Sequence, residues 1–291
     1  MNKHIFIVNP ASGNGKATEF IYNLEMYAKE DNLEHEIIIE ETEGKGCASS
    51  IAYAYSEVFE DSIIYSVGGD GTLNEVINGI NPNAKLAIIP AGSGNDFYRI
   101  YKNIGETKTI DLGVVNGRKF INIASLGLDA KMANRANQIK NNSILPMLCY
   151  PRAILRELIN YKPIEISING EYKKCTLFAV CNGKYYGNGF PINPNYDLNN
   201  GILNMISADK LSRREIIIML LKLMKEEHLN FSKVNCMFKD NVVLESNQEI
   251  LCNVDGEIIS GKKFEFGTIK EGLTLTTNVP QYVKRAIKTI K

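Results

Sequence analysis

Three glycines flank an acid in Gly68-Gly69-Asp70-Gly71-Thr72. An apolar run, Ile63–Val67, leads into them, and residues at helical spacing (Leu73, Val76, Ile77, Ile80) follow them. A strand ending in bare backbone where a helix begins offers unpaired N–H groups and the positive end of the helix dipole, which together bind phosphate. Asp70 would repel that phosphate unless a cation lay between them, so the combination points to a Mg-nucleotide. A plain turn needs one glycine, and three carry an entropic cost that asks for a further reason.

Two other segments have the same form. Asn9-Pro10-Ala11-Ser12-Gly13-Asn14-Gly15-Lys16 follows the first apolar strand. It fails the P-loop pattern, because Pro10 holds the first glycine position and Ala17 follows the lysine. It fails the dinucleotide fingerprint, because Thr18 holds the third glycine position. Ser12, Gly13 and the N–H groups after them still suit a triphosphate; a glycine-rich turn before a helix is the plainer alternative. Pro90-Ala91-Gly92-Ser93-Gly94-Asn95-Asp96 ends the fourth strand. Ser93 offers a hydroxyl to phosphate, while Asn95 and Asp96 are of the type that caps a helix starting at Phe97. A second acid at a second strand end favours a shared hydrated Mg²⁺, which keeps its waters and needs only one or two carboxylates. Asp111 is a candidate third member. Much later, Asn253-Val254-Asp255-Gly256-Glu257 ends another strand. It is either a hairpin turn or the place where Asp255 takes the proton of an attacking hydroxyl, with Glu257 the alternative base.

The elements that hold these residues change character along the chain. Strands at 5–8, 36–39, 63–67 and 86–89 alternate with helices at 17–29, 47–59 and 73–80. Short continuous apolar strands between helices predict a doubly wound parallel sheet, which binds ligands beyond the carboxyl ends of its strands. From Val114 onward, a hairpin turning at Asn116-Gly117, helices near 129–140 and 147–160, and a second hairpin at Asn169-Gly170 give way to strands near 202–207, 233–238, 242–246, 250–254, 263–266 and 273–277. These predict a second domain of antiparallel sheet, interrupted by an apolar helix near 213–226. The expected domains are 1–113, joined by a terminal helix at 279–291, and 114–278.

Composition narrows the function. The 291 residues carry 33 basic and 33 acidic side chains, a net charge of zero, which argues against bulk binding of nucleic acid. Six cysteines without a CxxC pair read as reduced thiols and a cytoplasmic location, and three scattered histidines make no zinc pattern. The longest apolar run, Ile216–Leu221, is far too short for a transmembrane span. A lipid would be reached from the water side, with the protein peripheral at the membrane. Edge-strand pairing into a homodimer stays open.

Taken together, Asn9-Pro10-x-Ser12-Gly13, Gly68–Thr72-x-Asn74-Glu75, Pro90-x-Gly92-Ser93-x-Asn95-Asp96-Phe97, Asp111-Leu112-Gly113 and Asp255-Gly256-Glu257 resemble the diacylglycerol kinase catalytic family, in its soluble bacterial lipid-kinase form. The resemblance implies an N-terminal α/β nucleotide domain, a C-terminal β-sandwich domain, and ATP in a cleft between them. By motif position it implies ATP contacts from Asn9, Pro10, Ser12, Gly13, Thr42, Gly68, Gly69, Gly71, Thr72, Glu75, Ser93 and Asn95. It implies Asp70, Asp96 and Asp111 around a catalytic Mg²⁺, through water, and Asp255 as general base with Glu257 beside it. A second Mg²⁺ would take Asp197, Asn200 and the Ile202 carbonyl, although Asn199 and Asn200 give that loop less negative charge than a hard cation prefers. The family acts on diacylglycerol or related lipids. Two other functions stay open: an NAD kinase-like enzyme, which shares the GGDGT core, and a nucleotide-binding regulatory protein without turnover.

Overall fold

The computed structural model describes residues 3–59, 62–140, 158, 161–168 and 170–290. The predicted helix at 147–160 lies outside the described residues except for Leu158, as do Asn169 and Cys149. The chain divides into two units, one of residues 1–112 with 270–291 and the other of residues 113–269.

In the first unit, β1 (His4–Val8) pairs in parallel with β2 (Ile37–Glu41) and with β3 (Ile63–Gly68), and β3 pairs in parallel with β4 (Lys85–Pro90). The strand order is therefore β2-β1-β3-β4. It reverses direction between β1 and β3, and a crevice for ligands opens where such an order reverses. The alternation of side chains along each strand gives two buried faces. Phe6, Val8, Tyr65, Val67, Ala87 and Ile89 pack with α1 (Lys16–Glu30) and with the C-terminal helix, Gln281–Thr289, which contributes Tyr282, Val283 and Ala286. Ile5, Ile7, Ile64, Leu86 and Ile88 are buried on the other face, where α2 (Cys47–Val58) packs on β1 and α3 (Asp70–Gly79) on β3. Gly79 is where α3 meets α2: a Cβ there would stand 1.9 Å from the Ser49 carbonyl oxygen.

The second unit is antiparallel. β7 (Ile123–Gly127), β9 (Glu171–Cys181), β10 (Leu203–Asp209) and β11 (Val234–Lys239) pair in that order, and β7 also pairs with β12 (Asn241–Val254), which pairs with β13 (Glu257–Thr276). β8 (Ile164–Ile168) pairs with β9 and β12. Phe178 and Val180 face one apolar cluster with Leu126, Met205 and Phe264. Leu177, Ala179 and Cys181 face another, with Ile206 and Ala208, which α5 (Leu128–Lys140) and α6 (Arg213–Met224) cover. Ser212 starts α6 with a capping box to Glu215, the sequence signal for a helix beginning there. Among the described residues no helix is long and apolar enough to cross a membrane, and five cysteines are free thiols.

The structure departs from the expected elements at four places. The polar tract 268–272 reads as a loop between two strands, yet β13 runs through it; Glu271 takes a φ of 51° there and turns its N–H to the Asp111 carboxylate at 2.9 Å. The strands expected at 242–246 and 250–254 are one strand, β12, with a register shift between Glu245 and Ile250. The hairpin at Asn116-Gly117 forms with φ of 48° and 82°, between β5 (Thr107–Val115) and β6 (Arg118–Phe120). Its second strand stops at Phe120 because the next three N–H groups are bound to Asp255. The expected cap of a helix at Phe97 does not form: only the short α4 (Tyr98–Tyr101) follows, with no side-chain cap bond.

Candidate active site

Three loops of the first unit, each continuing from a carboxyl strand end, lock together on bare backbone. After β1, Asn9 takes its N–H to the Val67 carbonyl oxygen at 3.0 Å, and its amide donates to Thr72 Oγ1 at 3.3 Å. That amide ties the first loop to the second. Gly13 (φ 66°) lies so close to the third loop that a Cβ would stand 1.9 Å from the Ala91 carbonyl oxygen. Gly69 and Gly92 meet backbone to backbone, since a Cβ on Gly92 would stand 2.3 Å from the Gly69 Cα. The N–H groups of Ala91 and Gly92 both donate to the Gly68 carbonyl oxygen, at 2.9 and 3.0 Å. Only glycine permits such approach, and at Gly13 only glycine takes the left-handed backbone without strain. Gly13→Ala is therefore expected to destabilise the protein by about 1–3 kcal/mol, measured by chemical denaturation; an unchanged midpoint would contradict this packing.

α3 begins earlier than its apolar pattern suggests, at Asp70 with Gly69 before it. The glycines and the acid are thus the first turn of the helix, whose N–H groups have no intrahelical partner. A Cβ at Gly71 would meet nothing within 4 Å. Asp70 Oδ1 accepts the Asp96 N–H at 2.7 Å, so the two acids of two strand ends are joined through backbone. Burial pushes the Asp70 carboxyl above its ordinary value, and the N–H groups of Asp96, Phe97 and Asn95 pull the other way. Asp96 is buried, with the Arg99 guanidinium 3.8 Å away. Asn95 (φ 52°) donates to the Gly92 carbonyl oxygen at 2.7 Å, holding the third loop's turn, and Ser93 is exposed at its tip. Thr42 follows β2 and donates its N–H to the Val8 carbonyl oxygen at 2.8 Å, at the same sheet end.

Other expected site residues have different partners. Glu75 accepts the Ala48 N–H at 3.2 Å, serving the first turn of α2. Asp111 binds the Glu271 N–H. Among the described residues no three acidic, histidine or cysteine side chains converge as a direct ligand set, so Asp70, Asp96 and Asp111 do not form one. In the loop expected to hold a second cation, Asp197 accepts the Asn199 N–H at 3.2 Å and Asn200 accepts the Ile202 N–H at 3.0 Å. Both side chains brace local turns.

In the second unit, Asp255 and Gly256 have φ of 49° and 96° and make the tight turn between β12 and β13. The Asp255 carboxylate accepts three backbone N–H groups: Ile121 at 2.7 Å, Asn122 at 3.1 Å and Ile123 at 2.9 Å. A carboxylate has about four acceptor positions, so most of this one is spent on the backbone. Glu257 is the first residue of β13 and half-buried.

The same unit holds an apolar pocket that the sequence reading missed. Leu177, Ile192, Ile216, Met219 and Leu223 are among its walls, and Asp129 lines it. Ser125 Oγ donates to the Asp129 carboxylate, and Tyr186 and Asn253, themselves hydrogen-bonded, lie beside it. Burial pushes the Asp129 carboxyl up to about 6 against those hydrogen bonds. The available signal was an acid inside the apolar run Phe120–Ala133, four residues after a serine. Asn253, near the end of β12, stands two positions before Asp255, so Asp129 borders the Asp255-Gly256-Glu257 turn.

Comparison with known proteins gives the class. The diacylglycerol kinase catalytic domain matches residues 3–119, and the YegS C-terminal NAD kinase beta sandwich-like domain matches residues 122–274. The fold is thus a two-domain α/β fold with a C-terminal β-sandwich domain, and the chain is a phosphotransferase with an alcohol acceptor. It belongs to the diacylglycerol kinase catalytic-domain family. A diacylglycerol kinase of Bacillus subtilis (strain 168) is 29% identical over 238 residues, 74% of this chain and 78% of that one. A diacylglycerol kinase of Staphylococcus haemolyticus (strain JCSC1435) is 27% identical over 74% of this chain and 71% of that one. The crystal structure of a diacylglycerol kinase from Bacillus anthracis str. Sterne superposes with a TM-score of 0.65 at 21% identity, covering 95% of this chain and 97% of that one. Another structure from the same organism reaches a TM-score of 0.74 at 22% identity, covering 95% of each chain.

Proposed function

We propose that the protein is an ATP-dependent lipid kinase that moves the γ-phosphoryl group to a lipid hydroxyl. The observation that carries the nucleotide half is the α3 terminus at the point where strand order reverses. The first-turn N–H groups of Gly71 and Thr72 lie there beside Asp70, whose carboxylate accepts the Asp96 N–H. Phosphoryl transfer asks for positioning and charge neutralisation more than for covalent help. The N–H groups of the glycine loops hold phosphate oxygens, while Thr72, Asn9 and Ser93 supply polar contacts around them. Asp70 and Asp96 suit a hydrated Mg²⁺, a hard cation that takes oxygen donors and keeps waters. When bound, that ion offsets charge on the transferring group. Asp255 or Glu257 takes the acceptor's proton.

The apolar pocket supports the lipid half. Its walls suit an alkyl chain, and Asp129, with Tyr186 and Asn253 beside it, suits the polar end of such a molecule near the proposed base. A carboxyl shifted this far in a pocket is of the kind that functional sites contain. The test is incubation with labelled ATP, Mg²⁺ and total lipid extract, with NAD as a separate acceptor. Label entering an organic-soluble product supports the assignment. Label on NAD alone, or on nothing, overturns it.

Asp129 also makes a pH prediction. Its folded value of about 6 lies above the ordinary 3.8, so the native state binds the proton more tightly than the unfolded chain. The stabilisation is fully present below about pH 4 and is lost as pH rises to about 6, at a cost on the order of 3 kcal/mol. Asp129→Asn stays neutral and nearly equal in size. Its melting temperature should fall less between pH 4 and pH 7 than that of the unaltered protein; parallel curves would contradict the burial of this acid.

A further inference from the structure

α6 has two apolar faces, and among the described residues one of them is packed into the fold and the other is exposed. Ile216, Met219 and Leu223 are buried over the pocket that Asp129 lines. Ile217, Ile218, Leu221 and Met224 point to solvent, exposed by 51, 46, 59 and 67%. At about 100° per residue these four fall on one side of the helix. Arg213, Arg214 and Lys225 are exposed on or beside the same side, and Lys222 is half-buried. The helix has one acid, Glu215, which pairs with Lys233 at 2.7 Å; just past the helix Glu226 pairs with Lys184 at 2.9 Å and Glu227 is exposed. Met224 also borders a shallow groove with Phe190 and Pro191. Four large apolar side chains on one helix side, beside three exposed cations and the half-buried Lys222, make an interfacial helix. Its charge matches an anionic bilayer, where the apolar groups enter the acyl boundary and the basic groups stay with the headgroups.

We propose that α6 seats the protein on an anionic membrane surface, with its opposite face over the apolar pocket. The helix would then stand between the bilayer and the proposed acceptor site. The purpose of this docking rests on the lipid-kinase assignment, whereas the docking itself is measurable without turnover.

The experiment sediments the full chain with vesicles of phosphatidylcholine mixed with phosphatidylglycerol, and with vesicles of phosphatidylcholine alone. The chain is expected to partition onto the mixed vesicles. A triple variant, Ile217→Ser with Leu221→Ser and Met224→Ser, should lose at least about tenfold in partitioning while melting no lower, because these side chains contact solvent. Arg214→Gln with Lys225→Gln should weaken binding to mixed vesicles only. Turnover of a short-chain lipid dissolved as monomers should be the same in the triple variant and the unaltered protein. Equal partitioning of variant and unaltered chain, or no partitioning at all, overturns the proposal. A dimer in solution that the triple variant converts to monomer also overturns it, by assigning the face to a second copy. If the chain partitions as expected yet phosphorylates no lipid, the docking stands and the lipid-kinase assignment falls.

Discussion

Asp70→Asn is expected to lower turnover by at least about 10²–10³-fold, the scale for losing one preorganised electrostatic group, while leaving the protein as stable as before or more so. The substitution keeps an oxygen where the Asp96 N–H is bound and changes the volume little. What it removes is the charge. That charge is costly in its buried setting, since the carboxyl is held above its ordinary value mainly by burial. A group raised in this way stabilises fully only below its unfolded value, and the contribution is lost as pH rises through the folded one. At neutral pH the neutral side chain is relieved of that burial cost, which offsets the N–H contacts that its amide nitrogen cannot accept. The checks are initial rates across a magnesium titration and a thermal melt. Unchanged magnesium dependence would remove Asp70 from the metal's surroundings, and a large fall in melting temperature would make its role structural.

Asp255→Ala is expected to abolish turnover and to cost several kcal/mol of stability, at about 1–3 kcal/mol for each of the N–H groups of Ile121, Asn122 and Ile123 left without a partner. The two effects have to be separated, because a carboxylate clamped by three N–H groups is an anchor whatever else it does. Asp255→Asn retains one oxygen for the clamp and should melt between the unaltered protein and the alanine variant. If Asp255 is the base, its turnover falls about 10²–10⁴-fold with nucleotide affinity retained. Glu257→Gln decides the alternative. It leaves the clamp intact, so a comparable fall in turnover without a fall in melting temperature moves the base to Glu257. In that event Asp255 is a positioning residue that holds the β12–β13 turn.

The strand ends were legible because local chemistry writes them. Gly68, Gly69 and Gly71 before a helical apolar pattern announce bare backbone at a helix start, and the apolar runs around them announce buried parallel strands. The close approaches that give Gly13 and Gly92 their reason, to Ala91 and Gly69, join separate loops and leave no trace in spacing. The same holds for the clamp on Asp255, whose partners stand more than 130 positions away. It breaks the hairpin after Phe120, which alternation alone extends to Ala124. Glu75 follows the GGDGT core and looks like part of the site, yet its carboxylate reaches the start of a neighbouring helix. Asp129 went unseen because an acid becomes informative only once apolar walls are known to surround it. β13 read as two strands because polarity at 268–272 says nothing about pairing.

The central claim is that nucleotide phosphate is held on the backbone after β1, β3 and β4. Its most direct test is a crystal structure with Mg²⁺ and a non-hydrolysable ATP analogue. The account predicts phosphate oxygens within hydrogen-bond distance of N–H groups at Gly69, Gly71 and Thr72, with the metal's waters reaching Asp70. Triphosphate bound elsewhere on the chain, with those N–H groups open to solvent, would contradict it.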